Sequence, residues 1–235
     1  MKHNIALILA GGTGKRMHAV IPKQFMEIDG ESVLLHTMRA FQQHALIHEI
    51  YVVCTPEWEA FVRQEAERGG IDKLGGIIGA GESSYASARG GIEHLLQTAK
   101  EPHAIVLVHD AVRPLITQDI ISRNIAVCLT HGNAITALPS YEAYLVTDDG
   151  CSADRYIPRE GLMRAQTPHT FPLETLRQMM QLADEKGIRE SQSIFTLAGE
   201  LGIAPLHIAR GDLRNFKITE QPDILVYRAL KALEE

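Results

Sequence analysis

Between residues 10 and 25 the chain sets three glycines, two lysines and an arginine close together: Ala10-Gly11-Gly12-Thr13-Gly14-Lys15-Arg16-Met17, then Pro22-Lys23-Gln24-Phe25. Backbone without β-carbons turns tightly and can bring several N–H groups up to an anion. Arg16 and Lys23 add a planar fork and a point charge, the two kinds of cation a polyphosphate takes up. Two better-known glycine loops do not fit. A Walker loop has a glycine five positions before its Gly-Lys pair and a hydroxyl residue after the lysine, where Leu9 and Arg16 stand. A dinucleotide fingerprint starting at Gly12 needs a third glycine where Met17 stands. The segment reads as a phosphate-binding loop of a third kind.

Three further groups carry chemistry. In Val108-His109-Asp110-Ala111-Val112-Arg113-Pro114, a carboxylate at a strand end can hold Mg²⁺ or a ribose hydroxyl, or can simply pair with Arg113. In Gln166-Thr167-Pro168-His169-Thr170-Phe171, with Arg159 eight positions before Thr167, a hydroxyl and a guanidinium together suit a second, phosphorylated substrate. In Asn215-Phe216-Lys217-Ile218-Thr219, a lysine in a short strand either faces the same crevice or is a solvated edge residue.

These groups need a scaffold, and the apolar pattern supplies one. Runs at Ile5–Leu9, Ile50–Cys54, Gly76–Ile78, Ile105–His109 and Ala134–Leu138 predict buried strands. Helical patterns alternate with them near Val33–His44, Glu57–Arg68, Ser84–Ala99 and Gln118–His131. This order predicts an α/β, Rossmann-like, mainly parallel sheet with helices on both faces. Right-handed crossovers then collect the loops after the strands along one edge as a binding crevice. Residues 139–166 break the rhythm. Tyr141–Thr147, a turn at Asp148-Asp149-Gly150 and Asp154–Ile157 predict a protruding β-arm whose alternating apolar residues need a cover, so the arm either folds back or packs on a second subunit as a dimerisation arm. Helices are predicted again at Leu173–Lys186 and Gln192–Leu201, then strands near Leu206–Ala209 and Phe216–Ile218, and a closing helix from Gln221. A single domain over 1–235 with an arm at about 139–166 is expected.

Bulk properties narrow the classes. A net charge of -6 argues against a general nucleic-acid binder but leaves room for a local nucleotide site. No stretch has signal-peptide or membrane-spanning character, so no membrane partner and a cytoplasmic location are expected. Cys54, Cys128 and Cys151 have no paired spacing, which suits a reducing compartment. None of the 11 histidines falls into a zinc-ligand spacing.

Taken in order and spacing, these segments resemble the polyol-phosphate cytidylyltransferases, the family of ribitol-5-phosphate and 2-C-methyl-D-erythritol 4-phosphate cytidylyltransferases. The resemblance covers nearly the whole chain and leans to the ribitol branch, through Leu9-Ala10-Gly11-Gly12-Thr13-Gly14 and Thr167-Pro168-His169-Thr170-Phe171. It implies transfer of CMP from CTP to a polyol phosphate, with Mg²⁺ and release of pyrophosphate; the isoprenoid enzyme and a catalytically altered nucleotide-binding homologue are the alternatives. It implies that Arg16, Lys23 and Lys217 are catalytic, contacting the triphosphate. Nucleotide binding falls by the same likeness to Ala10, Gly11, Gly12, Thr13, Gly14, Gly81, Ser87 and Asp110, with Asp110 also at the metal. Arg113, Arg159 and Thr167 would bind the acceptor, the arm carrying Arg159 and Thr167 across a homodimer interface. Three departures stand out: Ser84 where the family has an arginine, Glu142-Ala143 for an Asp-Thr pair, and Arg189-Glu190 or Gln192-Ser193 for a Thr-Asp pair. Each lost charge-assisted hydrogen bond costs roughly 1.5–3 kcal/mol, so Ser84 bears on CTP affinity and Ala143 on the acceptor.

Overall fold

Alternate residues of the first strand enter different cores. Ala6 and Ile8 join one apolar cluster and Ile5 and Leu7 another, all fully buried, as a pleated strand covered on both sides requires. The computed structural model describes residues 2–12 and 21–233. Thr13, Gly14 and Arg16 of the glycine loop lie outside the described residues.

In chain order the strands are β1 (Asn4–Leu9), β2 (Glu27–Ile28), β3 (Glu31–Ser32), β4 (Glu49–Cys54), β5 (Leu74–Gly79), β6 (Ile105–Asp110), β7 (Ala134–Pro139), β8 (Tyr144–Val146), β9 (Arg155–Ile157), β10 (Met163–Pro172) and β11 (Ile208–Arg210). The helices are α1 (Val33–Gln42), α2 (Glu59–Arg68), α3 (Ser84–Thr98), α4 (Gln118–His131), α5 (Leu173–Glu185), α6 (Ile194–Glu200) and α7 (Pro222–Lys231). Among the described residues the main sheet has seven strands, in the order β11-β7-β10-β6-β1-β4-β5. Only β10 runs against its neighbours; β1, β4, β5, β6, β7 and β11 are parallel. Helices α1, α2 and α4 cover one face through Leu34, Met38, Phe41, Val62, Ile121 and Ile125. Helices α3, α5 and α6 cover the other through Ile92, Leu95, Leu176, Met179 and Leu197. Gly91 lets α3 close on the sheet, since a β-carbon there would meet the Leu7 methyls at 2.9 Å.

The predicted strands and helices through Ala134–Leu138 all form, with ends that move by a residue or two. The arm forms as the antiparallel pair β8–β9. Three expectations need correction. Residues 163–166 belong to β10 in the main sheet, so the arm ends earlier than 166. Thr167 is therefore held in its own chain's sheet, where β10 is pinned between β6 and β7, and is not carried by the arm. No strand forms at Phe216–Ile218; Ile218 N–H donates to the Val112 carbonyl at 2.9 Å, and Ile218 packs with Val112, Leu115 and Tyr227 of α7. That segment is held by side chains and one backbone bond, which gives it no ladder partner.

Candidate active site

The C-terminal ends of β1, β5 and β6 meet at a cleft of about 380 Å³, lined by Gly11 and Gly12, by Lys23, by Gly81 to Ser84, and by Asp110 and Lys217 among others. The glycines are there for contact. A β-carbon on Gly11 would stand 2.5 Å from the Ala80 β-carbon, and one on Gly81 would stand 2.6 Å from that of Ala86. Both distances are too short for real atoms, so Gly11 lets the loop after β1 close on Ala80 beyond β5, and Gly81 lets the chain after β5 fold tightly against the first turn of α3. Ser87 sets the second loop: its hydroxyl accepts from the Gly81 N–H at 3.1 Å. Ala10 is fixed by donating its N–H to the Val53 carbonyl at 2.7 Å.

A second cavity of about 200 Å³ adjoins the first and shares Leu9, Ser84, Asp110 and Lys217 with it. Arg113, Thr167, His169 and Gln192 contribute to its other walls. At the junction, Asp110 Oδ2 takes two cations, Arg113 Nε at 3.0 Å and Lys217 Nζ at 3.2 Å. Burial works against the charge on Asp110, but Lys217 and then Arg113 outweigh it and hold the carboxyl well below the usual carboxylate range. The carboxylate is thus ionised at neutral pH and ties both cations to one point. Arg113 also donates through Nη1 to the Asn215 carbonyl at 2.9 Å. Asn215, fully buried, donates through Nδ2 to the Thr167 carbonyl at 2.8 Å. Those bonds place Lys217 beside Asp110 without a strand.

Thr167 has a narrower role than a free hydroxyl would. His109 Nε2 faces the Arg113 carbonyl at 3.3 Å, and a carbonyl can only accept, so the ring proton sits there. Nδ1 of the neutral ring then accepts the Thr167 hydroxyl proton across 3.0 Å, while Thr167 Oγ1 accepts from the Asp110 N–H at 3.1 Å. With its one proton committed to His109, Thr167 can meet a substrate only as an acceptor. Burial lowers His109 to about 3 and His169 to about 4, so neither is a cation in the cleft at neutral pH. Both folded values lie below the ordinary imidazole range, so the unfolded chain takes up protons first and stability falls as pH drops below about 6.5. Ring signals in NMR for His109 and His169 are expected to stay those of neutral imidazole at about pH 5; midpoints near the ordinary value would contradict this burial.

The remaining sequence-predicted residues are placed as follows. Arg159 lies on the arm with a 67 % exposed side chain, its nearest acid being Glu160 at 4.0 Å. It lines neither cavity of its own chain. Ser84 opens α3 at the rim of both cavities and brings no charge. Next to it, the Ser83 hydroxyl caps α3 by accepting from Ala86 N–H and reaches both oxygens of Glu190, at 3.0 and 2.9 Å. Glu190, from one of the departing segments, thus stands at the lip of the cleft. Sequence reasoning gave no role to Gln24, Asn215 or Glu190; the side-chain amides of the first two are buried polar groups whose partners are far away in sequence. Among the described residues no group of three or more His, Cys, Asp and Glu side chains is placed to hold a metal. A divalent ion at Asp110 would therefore take its other oxygens from a bound ligand and water, which is how Mg²⁺ is held in phosphate sites.

Glycine backbone at parallel strand ends, with Lys23, Lys217 and the Asp110 carboxylate around it, is an arrangement suited to the phosphates of a nucleotide. The family model for 2-C-methyl-D-erythritol 4-phosphate cytidylyltransferase matches residues 4–232, and the chain belongs to that cytidylyltransferase family. Among curated relatives, a ribitol-5-phosphate cytidylyltransferase of Streptococcus agalactiae serotype Ia is 32% identical, over 97% of this chain and 95% of its own length. A 2-C-methyl-D-erythritol 4-phosphate cytidylyltransferase of Rubrobacter xylanophilus is 37% identical over 100% and 97%. A solved 4-diphosphocytidyl-2C-methyl-D-erythritol synthase superposes with a TM-score of 0.81 at 27% identity, covering 98% of each chain. No described helix is long and apolar enough to cross a membrane.

Proposed function

We propose that the chain transfers the cytidylyl group of CTP to the phosphate of a polyol phosphate, with ribitol 5-phosphate as the acceptor. The observation that carries this reading is the junction at Asp110, where Lys217 and Arg113 meet between a glycine-lined cleft and a smaller second cavity. The larger cleft suits the nucleotide, and the smaller suits the acceptor. An acceptor phosphate oxygen attacks the α-phosphorus in line; the new P–O bond forms as the bond to the β-phosphate breaks, and pyrophosphate leaves. Both reactants are anions, so positioning and charge neutralisation are the protein's task. Lys23 lines the nucleotide cleft, and Lys217 stands between the two cavities. Mg²⁺, when bound with Asp110 supplying one oxygen, would screen the phosphates. Relatives of both names support the chemistry, and the acceptor of the second, 2-C-methyl-D-erythritol 4-phosphate, is the alternative. Supported by its exposed apolar arm, the chain is read as a homodimer; its unpaired cysteines suit the cytoplasm.

The test is pyrophosphate release from CTP with each acceptor in turn. Turnover is expected with ribitol 5-phosphate and to be weaker with the branched acceptor. The same assay tests the base and the metal. The close packing of Gly11 on Ala80, beside the loop that Ser87 ties at Gly81, leaves little room for a purine, so CTP should be favoured over ATP by about a hundredfold or more, and excess chelator should stop the reaction. Equal rates with ATP, or full activity in chelator, would refute the cytidine-specific, metal-assisted reading.

A further inference from the structure

Gln24 takes no part in the chemistry above, yet its side chain bridges two parts of the nucleotide cleft. It is 2 % exposed, and its Nε2 donates to the Ala10 carbonyl at 2.6 Å and to the Gly12 carbonyl at 2.7 Å. Both partners can only accept, so the two amide hydrogens are spent on them and the orientation of the amide is fixed. In a trans peptide the N–H points opposite to the carbonyl before it. Holding the Ala10 carbonyl therefore fixes the direction in which Gly11 presents its N–H. Glycine backbone has more freedom than any other, and here two glycines in the wall of the cleft are restrained from outside the loop.

The restraint has a firm base. Gln24 sits in a short 3₁₀ turn, Lys23–Phe25, between the lysine that lines the cleft and a phenylalanine in the core. The Phe25 ring stacks on Trp58 with centroids 4.4 Å apart and meets Phe61 edge-on at 5.6 Å. One turn thus carries Lys23 toward the cleft, the latch on the glycine loop and the anchor to the core.

We infer that Gln24 is a positioning residue that sets the glycine loop in register with Lys23, so that backbone N–H groups and the ammonium meet the same triphosphate. The inference rests on the CTP reading above. Donors fixed in place before binding avoid the ordering cost that a loose loop would add.

The test uses Gln24→Glu, which keeps the shape and removes both donors, and Gln24→Met, which removes them without adding charge. CTP affinity is read on the intact protein by isothermal titration calorimetry. Each folded variant is expected to bind CTP about tenfold or more weakly, with the KM for the acceptor within about twofold. Without nucleotide, the amides of Gly11 and Gly12 should exchange hydrogen faster than in the wild type. A general loss of stability would move the melting temperature and not this split. CTP affinity within about twofold of wild type in both variants, or unchanged exchange at Gly11 and Gly12, overturns the inference. Faster exchange in the variants together with no CTP binding by the wild type would support the latch and overturn the cytidylyl reading.

Discussion

Lys23→Ala is expected to lower kcat by about 10²–10³ while leaving the fold in place. Lys23 lines the cleft proposed for the nucleotide, where negative charge on the α-phosphate would grow during attack. The turn keeps other anchors when the ammonium is removed: Phe25 is held by the Trp58 and Phe61 rings, and Gln24 by two backbone carbonyls. Side-chain truncation should therefore remove charge without releasing the turn. A folded Lys23→Ala protein with near-normal kcat would end the catalytic assignment. Lys217→Ala should also lose activity, but with a second effect, because Asp110 would lose one of the two cations that pair with it among the described residues.

Mixing two inactive proteins is expected to restore activity. Arg159 lines neither cavity of its own chain, and its side chain is 67 % exposed on an arm whose Tyr141, Leu145 and Tyr156 are 77%, 72% and 73% exposed. Apolar residues on a two-stranded arm need a cover. A two-fold partner would supply one and would bring each arm to the other chain's site. Arg159→Ala alone should then be nearly inactive, as should Lys23→Ala. A mixture under subunit exchange should regain activity through dimers holding one site with both wild-type residues. A monomer by light scattering defeats the dimer. Proven heterodimers without recovery would assign Arg159 to its own chain's site or to none.

Much of this was legible in the sequence because burial on both faces gives long apolar runs. Ile5–Leu9 and Ile105–His109 could hardly be anything but central strands. The glycine loop and Asp110 stood out for the same topological reason, since ligands gather at strand ends. What escaped notice had physical causes. The hairpin of β2 and β3 was signalled by Asp29-Gly30, whose φ angles of 55° and 82° are those of a two-residue hairpin turn, but strands of two residues carry no periodicity. Pro168 argued against a central strand, since it cannot donate to a ladder. β10 accommodates it with a register shift between Ala165 and His169. Lys217 was placed on a strand that does not form; an alternating pattern cannot tell paired backbone from a segment held by Asn215 and Arg113. Gln24 looked like any polar residue beside a lysine, because hydrogen bonds to residues 14 and 12 positions back leave no mark on composition.

On the proposed reading, the two joined cavities hold the two anionic reactants of a cytidylyl transfer. Phosphorus NMR of the products tests it most directly, with CTP, Mg²⁺ and ribitol 5-phosphate or 2-C-methyl-D-erythritol 4-phosphate. Transfer gives free pyrophosphate together with a coupled pair of diphosphate signals, formed only when an acceptor is present and absent with Lys23→Ala. Pyrophosphate with CMP and no coupled pair, at a rate indifferent to either acceptor, would show hydrolysis in place of transfer and rule out a polyol-phosphate acceptor in the second cavity.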